Sequence, residues 1–98
     1  MIIRGSTLET VRNRKDYEVG GAEQDALKHL VMFYTTPENP FGPHKHDGAE
    51  FWYIIEGEGV VVLDGEEHAV QADDLIYLAP WSHHGLRTDT QIRWICVG

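Results

Sequence analysis

Apolar residues fall along this chain in short runs rich in branched and aromatic side chains, separated by turn-forming residues, and helix signals are scarce. Leu30 to Thr35, Phe51 to Ile55, Val60 to Leu63, Glu67 to Val70, Leu75 to Leu78, Gly85 to Thr88 and Ile92 to Val97 all have the character of strands. Between them stand Gly57-Glu58-Gly59, expected to turn, and Asp64-Gly65, a strong two-residue hairpin signal. Asp73-Asp74, Ala79-Pro80 and Asp89-Thr90 break the later runs. Many short strands at this spacing predict an all-β barrel or sandwich.

The first thirty or so residues have a different texture. Met1-Ile2-Ile3 is expected to form a short edge strand, and Thr7 to Tyr17 is polar and mixed in charge. Gly20-Gly21 interrupts the chain, and Ala22 to Lys28 is a turn of helix or a loop. Residues 1–29 are therefore expected to be an extension, residues 30–98 the barrel. The proline-rich stretch Pro37 to Pro43 reads as a loop that delivers the chain to His44 in extended form, so that the histidines start a strand.

Composition narrows the partners. Ninety-eight residues suit one domain, and sixteen acidic residues against eight basic ones give a formal charge of -8. That balance supplies no basic stripe for nucleic acid, which leaves small molecules as the expected partners. A single cysteine, Cys96, excludes an intrachain disulfide framework. No apolar run has the length of a membrane span or a signal segment, and a cytoplasmic location is the expectation.

The candidate chemistry lies in His44, His46 and Glu50. Imidazoles two positions apart on an extended segment point to the same side, and a carboxylate four positions after His46 can return to that side past Asp47-Gly48. A third histidine from a distant segment, as around Pro80 to His84, completes a mixed nitrogen and oxygen set for a divalent transition metal.

The run His44-Lys45-His46-Asp47-Gly48-Ala49-Glu50, followed after six residues by Gly57, resembles the first signature of the cupin superfamily. The stretch Asp74 to Gly85 resembles the second more loosely: Asp74 stands where glycine is usual, and Trp81 where a turn glycine is common. The resemblance covers residues 30 to 98 and implies a double-stranded β-helix, or jelly-roll, barrel. It also implies His44, His46, Glu50 and His84 as ligands of one ion (Mn, Fe, Co, Ni, Cu or Zn). His84 is preferred to His83 because it precedes glycine and an apolar residue, as the family's ligand does; His83 then points away from the ion. Small cupins are often dimeric, and a homodimer with the N-terminal segment at its contact is expected, the alternative being that this segment folds back on its own barrel.

Two functional classes follow. One is a metal-dependent enzyme acting on a small carboxylated, enolisable or sugar-derived substrate by isomerase, lyase or dioxygenase chemistry. The other is a non-catalytic barrel that binds a small molecule or sugar. Trp52 and Ile54 share the side of Glu50 and are expected in the interior, Trp52 flanking the pocket or serving only as a core aromatic. Tyr53 is expected under the N-terminal segment or in a dimer contact, and Ile92, Trp94 and Cys96 in the core with Cys96 inert. Tyr34 and His29 are candidate substrate donors, with core or surface roles as the alternative. Glu56, Glu58, Glu66 and Glu67 read as a solvated rim.

Overall fold

In the computed structural model, which describes residues 1–98, the predicted strands curl into one antiparallel sheet. Its strands are β1 (Arg14–Tyr17), β2 (Leu30–Thr35), β3 (Phe41–His44), β4 (Glu50–Leu63), β5 (Glu66–Gln71), β6 (Leu75–Leu78), β7 (His84–Arg87) and β8 (Ile92–Val97). Hydrogen bonding links β1-β2-β8-β4-β7-β3 in that order, and β5 and β6 each join β4. The first part of β4 pairs with β6 and β8 and its second part with β5 and β7, so this one strand belongs to both walls of the barrel.

The alternation seen in the sequence becomes the division between inside and outside. Along β8, Ile92, Trp94 and Cys96 are buried while Arg93, Ile95 and Val97 are only half-buried. Along β4, Trp52 and Ile54 are buried and Phe51 is exposed. Trp94 sits at the centre, stacked on Phe33 with ring centroids 4.4 Å apart and tilted against Trp52 at 4.5 Å. Its indole N–H donates to Thr35 Oγ1 at 2.9 Å, which satisfies the one polar atom this large side chain takes into the core.

Several expectations need correction. The chain does not turn at Gly57-Glu58-Gly59; β4 runs through all three residues, with a register shift between Ile54 and Glu56 on the side of β8. The glycines serve close approach instead. Gly57 has φ of 90°, and a Cβ there would lie 2.2 Å from the carbonyl oxygen of Gln91. Asp64-Gly65 does form the tight hairpin, with φ of 49° and 87° at its two residues, the left-handed pair that a twisted two-residue loop demands.

At the N-terminus, Met1 to Ile3 form no strand, and Met1 and Ile2 are exposed. The strand lies instead within the polar stretch, where β1 pairs with β2 of the same chain from Arg14↔Phe33 to Tyr17↔Leu30. Pairing with the free edge of β2 compensates for weak local propensity, and Arg14 places its guanidinium over the Phe33 ring at 5.3 Å. Residues 22 to 28 are loop. Strand β3 begins inside the proline-rich stretch, so His44 ends a strand rather than starting one, and His46 lies just beyond it. The Tyr53 hydroxyl donates to Asp73 Oδ1 at 2.6 Å. No helix is long and apolar enough to cross a membrane.

Candidate metal centre

Antiparallel pairing is what unites the distant histidines. His44, the last residue of β3, lies opposite His84, the first residue of β7, and their ring centroids are 4.7 Å apart. His46 follows two residues later, its ring 5.7 Å from that of His44 and 4.9 Å from that of His84. The backbone N–H of Trp81 donates to the His46 carbonyl at 2.7 Å and ties the β6–β7 connection to this segment. Trp81 adopts φ of 65°, which explains why glycine suits this turn position, and its side chain is exposed. One ring nitrogen from each of His44, His46 and His84 lies within 4.8 Å of the other two.

Glu50 adjoins this group but does not face it alone. Its Oε1 is 3.3 Å from His46 Nε2 and accepts the Trp52 indole N–H at 3.2 Å, while its Oε2 is 2.9 Å from His29 Nε2. Trp52 is thus both core and pocket wall: it orients the carboxylate, and its ring lies edge-on to His84 at 5.3 Å. His29 carries no motif of its own in the sequence. Its position comes from the backbone, where its N–H donates to the Gly98 carbonyl at 2.9 Å and its carbonyl accepts the Gly98 N–H at 3.1 Å. Tyr34 lies on the outward side of β2 beside Arg93, apart from the histidines. His83 is exposed, and its backbone N–H and carbonyl both bind Asp64.

The electrostatics suit a cation. His84 is 1% exposed; its Nδ1 contacts the Ser82 carbonyl at 2.9 Å, and since a carbonyl only accepts, Nδ1 carries the proton. Nε2 is then a bare lone pair, buried and with no hydrogen-bond partner, on the edge that faces two other imidazoles. Leaving such an atom unpaired costs roughly 1–3 kcal/mol, and a metal ligated there recovers it. The three imidazoles therefore fit a divalent transition ion by chemistry as well as by position, with Glu50 adjoining them through His46.

Burial, followed by the charge of His46, holds His44 below the ordinary value of 6.5, against the pull of Glu50. Burial, followed by His44, does the same to His84, against the Ser82 carbonyl. Burial alone raises the Glu50 carboxyl, but hydrogen bonds from Cys96 and Trp52 and the charges of His46 and His29 outweigh it and hold the group below 4.5. In each case the unfolded chain binds the proton more readily, so stability is complete above the unfolded value and declines as pH falls through the folded one. The melting temperature of the metal-free protein is expected to drop once pH falls below 6.5, with a further loss below 4.5 as Glu50 protonates. A melting temperature that holds steady across the histidine range would contradict these burial effects.

Cavity size does not point to this site. The largest cleft, about 590 Å3, is lined by Glu58, Val70, Arg87 and Thr88 among others and includes none of the histidines. It lies between the middle of β4, the end of β5 and the β7–β8 connection, whereas His44, Glu50 and His84 occupy the ends of β3, β4 and β7.

Comparison with known proteins bears on the family and the fold. Over 49 residues, half of this chain, the sequence is 35% identical to dimethylsulfoniopropionate lyase of Ruegeria pomeroyi, covering 32% of that enzyme. Over 71 residues, 70% of the chain, it is 35% identical to L-ectoine synthase of Hahella chejuensis, covering 52% of it. The chain thus spans about a third to a half of these relatives. Among solved structures, a Thermotoga maritima protein predicted to be an oxalate decarboxylase superposes with a TM-score of 0.84 at 22% identity, covering 99% of this chain and 96% of its own, which shows the shared fold. The sequence profile of the Cupin domain matches residues 31–98, the barrel that holds the three histidines and Glu50, and on this ground the chain belongs to the cupin family.

Proposed function

We propose that His44, His46, His84 and Glu50 hold one divalent transition metal, and that the protein is a metal-dependent enzyme acting on a small carboxylated, enolisable or sugar-derived substrate. The observation that carries this reading is the buried, unpartnered Nε2 of His84 beside two further imidazoles. When bound, such an ion supplies Lewis acidity toward a substrate oxygen or, if it is redox-active, a path for electrons. The chain's own residues do the rest. Ser82 fixes the His84 tautomer, and Trp52 and His29 hold the Glu50 carboxylate ionised and oriented. Trp52 and Phe41, packed with ring centroids 5.4 Å apart, wall the site off from the core.

Isomerase, lyase and dioxygenase chemistry all suit this donor set, and lyase and synthase activities among the relatives support a small substrate. Elemental analysis of protein purified without added metal is expected to find about one equivalent or more of a transition ion; less than about one tenth would sink the ligand assignment. Incubating the loaded protein with carboxylated sugars, β-diketones and catechols then separates turnover from the alternative, a non-catalytic barrel that binds a small molecule or sugar. Binding without product assigns the second.

A further inference from the structure

Glu50 faces two ways, and its second face meets another set of donors. Its Oε2 is 2.9 Å from His29 Nε2, which in turn is 3.4 Å from Cys96 Sγ. One ligand atom from each of the three residues lies within 4.8 Å of the other two. We propose that His29, Glu50 and Cys96 form a second metal site, selective for a borderline-soft divalent cation such as Zn2+ or Co2+, with the Glu50 carboxylate as the link to the three-histidine group. This goes beyond the function proposed above and stands on its own imidazole and thiol.

The spacing is close to what such an ion needs. Bond lengths of about 2.3 Å to thiolate and about 2.0–2.1 Å to imidazole set sulfur and nitrogen about 3.6 Å apart across a tetrahedral angle. The same geometry sets a carboxylate oxygen and an imidazole nitrogen about 3.4 Å apart. Shifts of a few tenths of an ångström from the present contacts admit the cation. All three backbones are held: His29 by its two bonds to Gly98, Cys96 between Val31 and Trp52, and Glu50 opposite Leu78 at the start of β4. The His29 side chain is 38% exposed whereas Cys96 is 4% exposed, so the ion enters past the imidazole and meets the sulfur last.

Burial, and then the charge of Glu50, push the Cys96 thiol well above its ordinary range in the empty site, so the incoming cation itself has to displace the proton. With the thiol protonated, the cluster carries the single negative charge of Glu50 into a largely buried setting. On binding, the Sγ–H bond breaks, the proton leaves to solvent and an Sγ–metal bond forms. Two anions then surround one dication, and the cluster becomes neutral. The thiolate selects against hard cations such as Mg2+, which distinguishes this site from one built of imidazole and carboxylate alone.

Cobalt titration of the metal-free 98-residue chain under anaerobic conditions tests this directly, because a thiolate bound to Co2+ gives an intense near-ultraviolet charge-transfer band that imidazole and carboxylate do not. Cys96 is the sole cysteine, so the band reports on this site alone. The wild type is expected to develop the band, Cys96→Ser to lose it, and His29→Ala to need at least about tenfold more Co2+ to reach it. His84→Ala, which disables the first site, is expected to retain it. A wild type that saturates with Co2+ without the band overturns the second site and leaves the first standing. A band lost as fully in His84→Ala as in Cys96→Ser overturns it as well, since it assigns one ion to both groups. A wild type that binds no Co2+ overturns both.

Discussion

Replacing His84 by alanine is expected to weaken metal binding at the three-histidine group by about a hundredfold or more, since losing a ligand costs no less than losing one of the partners that orient ligands. The apoprotein is expected to change far less, by about 1–2 kcal/mol. Removing the side chain opens a cavity, but it also removes a buried nitrogen that has no partner when no ion is bound. The two effects oppose each other, and metal uptake is where they separate. In a Cys96→Ser background, which lacks the second site, an ion present at a hundred times its dissociation constant stabilises the protein by about 2.7 kcal/mol, and this increment is expected to vanish when His84 is also replaced. Thermal melts with and without added ion, read beside elemental analysis, check the prediction. A variant that still gains the full increment places the centre elsewhere.

The second large effect belongs to the backbone. Gly57→Ala is expected to destabilise the fold by about 3 kcal/mol or more, because the new methyl meets both a left-handed backbone and a hard neighbour. At φ of 90° its Cβ would lie 2.2 Å from Gln91 O and 3.0 Å from Ile92 Cα, atoms of a connection that cannot rotate aside. Gly65→Ala is the control. That residue has φ of 87°, yet no atom lies within 4 Å of its added Cβ, so its loss is expected to stay near 1 kcal/mol. Urea unfolding of both variants isolates the steric part. Equal losses would mean that strain alone acts at Gly57.

These residues also show what can be read from one dimension. Leu75 to Leu78 and Ile92 to Val97 are strands with the boundaries their patterns imply, since strict alternation is itself the record of one buried face. Gly57 misleads because glycine marks a turn and a close approach with the same letter, and Gln91, which distinguishes the two, comes from a remote segment. Strand β1 is obscure for a related reason: Arg14-Lys15-Asp16-Tyr17 carries little β character of its own, and the open edge of β2 recruits it. The three histidines are legible through local spacing and the family likeness. The orientation of Glu50 is not, because it depends on His29 and Cys96, which are remote in sequence and meet only where Leu30 pairs with Val97 at one end of the β2–β8 ladder.

That same pairing has a bearing on how the molecule matures. Residues 30–35 bond to 92–97, and His44 meets His84 across most of the barrel sequence, so the local group of His44, His46 and Glu50 is completed only by long-range pairing. Chains of such high contact order fold slowly, on the millisecond-to-second scale, because loop closure must precede reward. No short hairpin emerging from a ribosome presents the three imidazoles together. A cation held by this group would therefore be captured late, once β3 and β7 have paired, and its release would be tied to the parting of those two strands.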